Sequence, residues 1–211
     1  MLTKLPGLLL TVVLSLSVFS CTTEKLTVDE RNIQKTHEIM QDKIVLNAHA
    51  MMGTDNKTLL KTGCPLMYHF KWKSDDPMED SFNLQLKEFC VGRMPFAIWF
   101  TINCKFVALN GWEKQEYPED GWIKFEGYGG NTIYDSNTED YESGDGGGGS
   151  VIGYLNVDTW MIEFVTNFNV MNMSSEVFMQ KIDHSRVDRF DAEFAQYEAD
   201  LKKYKEEHGI R

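Results

Sequence analysis

Between Phe96 and Leu109, apolar side chains recur at every second position. Phe96, Ile98, Phe100, Ile102, Cys104, Phe106 and Ala108 share one face, while Trp99, Thr101, Asn103 and Lys105 take the other. Seven apolar residues at period two cannot lie on one side of a helix, so the pattern predicts a long strand with one face in a core. Phe82, Leu84 and Leu86 repeat the alternation, with Asn83, Gln85 and Lys87 opposite. Further strands are predicted from Ile44 to about Met52, over Leu66–Lys73, Trp122–Tyr128 and Val151–Val157, from Trp160 to Val170, and from Glu176 to Ile182. Gly129-Gly130-Asn131 predicts a hairpin turn, with Thr132–Tyr134 pairing back. Short strands with frequent turn signals predict a mainly β fold, an antiparallel sandwich or barrel.

The pattern changes at both ends. Residues 26–43 predict a short peripheral helix, with Thr27 and Glu30 at capping-box spacing and Ile33, His37, Met40 and Ile44 following at helical intervals. Near the C-terminus, Val187, Phe190, Phe194, Tyr197, Leu201 and Tyr204 alternate spacings of three and four. That stripe predicts a longer helix, capped by Ser185 with Asp188, stopped at Gly209 and docked on the β-domain, with self-association through the same seam as the alternative. The division expected is a signal peptide over 1–20, a lipid-anchored linker and helix over 21–43, a β-domain over 44–183 and a C-terminal helix over 184–211.

The first of these segments changes the picture most. Lys4 precedes an apolar run from Leu8 to Val18, and Val18-Phe19-Ser20-Cys21 closes it with a small residue before a cysteine. The run is shorter than the ~20 apolar residues of a membrane span and has the layout of a secretory signal. Its end resembles a bacterial lipobox, in which the cysteine is acylated and becomes the mature N-terminus. Cys21 is therefore the expected lipidation site. A chain carrying more than one acyl group holds a protein to a membrane without further help.

Composition narrows the partners. The 211-residue chain has a formal net charge of −11. Nucleic acid demands basic patches, so no nucleic-acid partner is expected. Besides Cys21, the cysteines are Cys64, Cys90 and Cys104, an odd number with no C-x-x-C spacing. Cys90 and Cys104 fall at strand positions that suit small buried hydrophobes, and one disulfide remains open as an alternative.

The lipobox, SFNLQLKEFCVGRMPFAIWFTINCKF, GWIKFEG and SVIGYLNVDTWMIEFVTNFNV together resemble the calycin-like lipoproteins of Bacteroidetes and neighbouring lipoprotein families from those bacteria. The likeness spans residues 44–183. It implies a calycin-like antiparallel barrel or sandwich, and binding of a lipid or small apolar ligand by analogy with lipocalin-like barrels. No functional residues come with it.

Catalytic motifs do not emerge. His37-Glu38-Ile39-Met40-Gln41 begins like a zinc-protease helix but has Gln41 where a second histidine must stand. Gly144-Asp145-Gly146-Gly147-Gly148-Gly149 follows acidic residues and precedes a strand, whereas a phosphate needs a helix N-terminus. The carboxylates between Asp135 and Asp145 lack the glycine and bidentate glutamate of a calcium loop. No catalytic residue, metal site or cofactor is assigned, and no enzyme activity is expected. Among Trp72, Trp99, Trp112, Trp122 and Trp160, the ligand-binding candidates are Trp99, Trp122 and Trp160, because aromatic faces stack on sugars and flat apolar surfaces. The function expected is a non-catalytic cell-envelope lipoprotein, anchored through Cys21 in the outer membrane, that binds a small apolar ligand or a glycan. The alternative is a structural or assembly lipoprotein that recognises a partner protein.

Overall fold

The computed structural model describes residues 28–89, 97–133 and 147–210. Cys21, the signal segment, Cys90 and the acidic part of the glycine-rich stretch lie outside the described residues. Among the described residues, nine strands and three helices follow in the order α1 (Glu30–Ile39), β1 (Lys43–Met52), β2 (Asp55–Asn56), β3 (Cys64–Trp72), β4 (Ser81–Phe89), β5 (Ile98–Val107), α2 (Glu113–Glu116), β6 (Trp122–Ile133), β7 (Gly149–Asn156), β8 (Met161–Asn167), β9 (Met173–Lys181) and α3 (Arg186–Glu207).

Every pairing from β3 to β9 is antiparallel between sequence neighbours, and β1 closes the sheet. Its first half, Lys43–Ala48, pairs with β3, and its second half, Ala48–Met52, pairs with β9. The two-residue β2 only extends β1, so the body is an eight-stranded closed barrel. Closure removes the exposed sheet edges that invite aggregation. Of the two architectures expected, the barrel is the one formed.

The barrel interior holds the alternating apolar set. Phe82, Leu84 and Leu86 on β4 face inward with Ile98, Phe100, Ile102, Cys104 and Phe106 on β5, all at 2% exposure or less. Rings from opposite walls meet: Phe82 touches Phe125 of β6, Phe125 touches Phe164 of β8, and Phe164 stands edge-on to Tyr68 of β3 at 5.0 Å. Gly153 on β7 lies between Phe125 and Phe164 in register, and a Cβ there would overlap both side chains. Full burial of each ring contributes about 1.5–3 kcal/mol.

Three local expectations are corrected. No hairpin forms at Gly129-Gly130-Asn131: β6 runs unbroken to Ile133. The glycines instead serve a bulge against β5 and β7, and Gly130 makes room for Phe100, whose Cζ lies 2.6 Å from where a Cβ would stand. The N-cap of α1 is Asp29, whose side chain accepts from the Arg31 N–H at 2.9 Å. At α3 the Ser185 side chain makes no capping bond, and donates instead to Asp183 Oδ1 at 2.6 Å. Gly209 does end α3, with φ at +63°.

Helix α1 belongs to the core and is not peripheral. Ile33, Ile39 and Met40 are buried in the same apolar cluster as the strands. The Trp72 indole, at the end of β3, donates to Met40 O at 3.0 Å and stacks on His37 at 3.6 Å. On its other side α1 reaches the β7–β8 turn through Arg31 and Asp158. The helix thus lies across one end of the barrel. The opposite end carries β2 and the β8–β9 connection, where Phe168 tucks inward against Phe89 and Phe100.

Helix α3 docks on the outside of β1 and β3, as its stripe predicted. Tyr197 is buried there, and Phe194 and Leu201 pack partly buried against the core. Arg186 fixes the start of α3, donating to Val45 O at 3.2 Å and to Asn47 Oδ1 at 2.6 Å.

Candidate functional site

The end of the barrel crossed by α1 carries a cleft of about 670 Å³. Its walls are the start of α1, the end of β5, the α2–β6 connection and the β7–β8 turn. Asn156 builds that turn: its Oδ1 accepts from the Asp158 and Thr159 N–H groups, and its Nδ2 donates to Asp120 O at 3.0 Å. Opposite it, Gly121 has φ at +87°, and a Cβ there would stand 2.6 Å from Asp158 Oδ2. Only glycine combines that backbone with that approach, so Gly121 sets how closely the two walls come.

Asp158 is the charge centre of this end. Its Oδ1 accepts from Lys35 Nζ and, at 2.6 Å, from Arg31 Nη2. These two hydrogen bonds, Lys35 first, hold its carboxyl below the usual range. The rest of the lining is mixed in sign, with Asp29, Glu119 and Asp120 against Lys114.

Trp122 supplies the aromatic edge of the cleft. The ring is half-buried, its Nε1 donates to Glu119 Oε2 at 3.2 Å, and Tyr117 lies 4.7 Å from it. Tyr117 is itself anchored on the outer barrel wall. Its ring stacks on Tyr154 at 4.3 Å, and its hydroxyl donates to Glu163. Burial, then Glu163, pushes the Tyr117 phenol far up, so it stays protonated as a donor.

Beneath lies a hydrogen-bonded network that fixes α2. Asn110 Oδ1 accepts from the Trp112 and Glu113 N–H groups, and Glu113 Oε2 accepts from the Asn110 N–H at 2.7 Å, a reciprocal capping box. Glu113 Oε1 pairs with Lys124 at 2.9 Å and accepts from Tyr154 at 3.0 Å. Burial opposes the charge on both members, yet these bonds outweigh it: Glu113 titrates low and Lys124 high. Tyr154 is pushed up to about 12 by burial and by Glu113.

The three candidate tryptophans do not converge on one pocket. Trp122 and Trp160 flank the β7–β8 turn, and Asp158 lines the surface beside each. Trp160, at φ +65°, lines a second depression and meets the His184 ring edge-on at 5.4 Å. Trp99 stands apart, half-buried on the outer face of β5 near the other end and opposite Ile133. Beside it Thr101 is fully buried and donates to Asn83 Oδ1 at 3.1 Å. Sequence reading missed Arg31, Tyr117, Asn156 and Asp158. The Asn110-x-x-Glu113 and Asn156-x-Asp158 spacings were the available signals for the turns that carry them. Among the described residues, no group of three or more His, Cys, Asp or Glu side chains is placed to hold a metal ion.

A family model described as a domain of unknown function (DUF4903) matches residues 21–209, and the chain belongs to that family. No curated protein and no solved structure matches it.

Proposed function

We propose that this member of the DUF4903 family is a non-catalytic lipoprotein of the cell envelope, held in the outer membrane through Cys21, that binds a glycan in the cleft at the α1 end of the barrel. The observation that carries the glycan reading is the half-buried Trp122 ring at the edge of a cleft whose lining also holds polar side chains of both signs. A sugar needs an apolar platform for its C–H face and paired donors and acceptors for its hydroxyls. Arg31, Asn32, Asp120 and Asp158 provide such groups around the ring. Of the two ligand classes expected, a small apolar ligand suits this cleft less well, and inside the barrel it would meet rings already packed on one another. The lipobox and the resemblance to the calycin-like lipoproteins of Bacteroidetes support the anchor and the envelope location.

The test is calorimetric titration of the soluble domain, residues 22–211, with a panel of neutral and amino-sugar oligosaccharides. Binding by at least one class, lost in Trp122→Ala and kept in Trp99→Ala, is the expected result. Binding that survives Trp122→Ala would move the site elsewhere, and no binding across the panel would favour the assembly reading.

That second reading has its own observation. Ile152 and Val165 are cross-strand partners on the outer face of β7 and β8, exposed at 39% and 45%, with Tyr128 of β6 diagonal to Ile152 and 62% exposed. An apolar group on a closed sheet suits a protein partner.

A further inference from the structure

We infer that the lipid leash orients the barrel, with the α1 end toward the bilayer but held off it, and with β2 and the β8–β9 connection pointing away. The inference rests on the proposed acylation of Cys21. Val28, the first described residue, lines the cleft at the α1 end. Seven residue steps separate it from Cys21, a reach of about 25 Å at full extension. A strand as long as β5 rises roughly 30 Å, which at the 35–45° tilt of barrel strands spans roughly 23 Å along the barrel axis, so the reach of the leash is about the height of the barrel it carries. The α1 end is thereby confined near the headgroups, while the far end can approach them only if the domain tips over on its tether.

Charge opposes contact. Around α1 the exposed side chains include Asp29, Glu30, Glu38, Asp42, Asp75 and Asp76, against Lys43 and Lys73. The Asp75–Asp76 connection belongs to this surface, because His37 Nε2 lies 2.9 Å from Glu79 O and Gln34 Nε2 lies 3.4 Å from Met78 Sδ. Arg31 and Lys35, the basic residues of α1, are engaged by Asp158. An anionic leaflet repels such a surface within a Debye length. The leash pulls this end in and the surface potential pushes it out, so the cleft beside α1 stays wet and reachable from the aqueous side.

The experiment uses the full chain, processed and purified with its lipid, in phosphatidylcholine vesicles that carry an acceptor dye on a headgroup. A donor is placed at Glu38 on α1 or at Asp55 on β2 through an azido side chain, and the mass of the mature N-terminus is measured on the same sample. Transfer from the Glu38 position should exceed that from Asp55 by at least about twofold, given these lengths. Adding phosphatidylglycerol at low salt should reduce transfer from Glu38, and salt should restore it. Equal transfer from both positions, or stronger transfer from Glu38 on anionic lipid, with the acyl groups present on Cys21, overturns the orientation and leaves the anchor intact. A mature chain without lipid on Cys21 overturns the anchor itself, and the orientation with it.

Discussion

The side-chain amide of Gln180 completes the seam of the barrel by pairing with the backbone of Asn47. Gln180 Nε2 donates to Asn47 O at 2.8 Å, and the Asn47 N–H donates to Gln180 Oε1 at 2.8 Å. Backbone pairing between β1 and β9 runs from Met52 only to Ala48, so the amide supplies the next rung from a side chain. It does so where β9 is irregular, between the Ile162 and Phe164 pairings.

Gln180→Ala should therefore open this end of the seam. Three hydrogen bonds are lost, one of them to Phe178 O, and both Asn47 backbone groups lose their partner there. A cost of about 1–3 kcal/mol is expected. Urea melts measure the loss, and hydrogen exchange should show the Asn47 amide losing protection while β6 and β7 keep theirs. A melt unchanged from wild type would mean that water replaces the rung at no cost.

The interior makes a sharper demand at Gly153. A Cβ there would overlap Phe125 and Phe164, the rings that meet above it. Gly153→Ala should destabilise by about 1–3 kcal/mol through overpacking, although alanine favours neither strand nor turn strongly. Phe125→Leu added to Gly153→Ala should recover part of that loss. Double-mutant melts would show the recovery as a coupling between the two sites.

How much of this was legible differs from element to element. The inward face of β5 was readable because period-two alternation is a local signal, and Phe100, Ile102 and Phe106 are all fully buried. The stripe from Phe194 to Leu201 was readable for the same reason at helical spacing. Sheet closure was not, because whether β1 meets β9 depends on residues far apart in the chain and on a side-chain rung between Asn47 and Gln180, 133 positions apart. The glycines of β6 misled because a bulge and a turn use the same residue type. The cleft escaped because its members come from α1, the α2–β6 connection and the β7–β8 turn. Trp122 was singled out as an aromatic, but nothing local ties it to Asp158 or Arg31.

The two faces of β5 should respond differently to truncation. Phe100→Ala empties a site between Phe168 and the glycines of β6 and β7, and should cost about 3–5 kcal/mol. Asn103 lies on the outer face, where it accepts from Asn83 Nδ2 at 3.1 Å, and Asn103→Ala should cost about 1 kcal/mol. Denaturant melts that ranked the two alike would contradict the alternation.

His184 should give the fold a weakness on the acid side of neutrality. Both ring nitrogens are buried without a hydrogen-bond partner, and burial lowers the pKa despite the nearby Asp183. The unfolded chain titrates at about 6.5. Between that value and the lower folded one, the unfolded state binds a proton that the folded state does not, so stability falls as pH drops through this window. His69 shifts in the same direction, first through burial and then through Lys87, and adds its own slope. His184→Phe should keep the contact with Trp160 and remove one of the two contributions. Melting temperatures from pH 7.5 down to 5 should show a shallower decline in the variant, and parallel curves would mean that His184 is protonated without penalty.

The last expectation concerns what α3 does for the barrel. Its first residue, Arg186, reaches two β1 groups on the outer wall and is held in place by Glu193, whose Oε2 accepts from Arg186 Nε at 2.8 Å. Further along, Tyr197 is 9% exposed, and the fully buried Val45 sits on the outward-facing side of β1. An isolated helix of this length is marginal in water, so α3 depends on this docking as much as the wall depends on its cover. Removing residues 184–211 should uncover apolar wall and lower melting temperature and solubility together. Arg186→Ala alone should cost about 1–3 kcal/mol, because Asn47 and Val45 lose charge-assisted partners. Light scattering decides between docking within the chain and pairing between chains. A full-length protein of monomer mass, with a truncated form that aggregates, follows from the docked helix. A full-length dimer that becomes a well-behaved monomer on truncation would mean that the stripe seeks another molecule in solution.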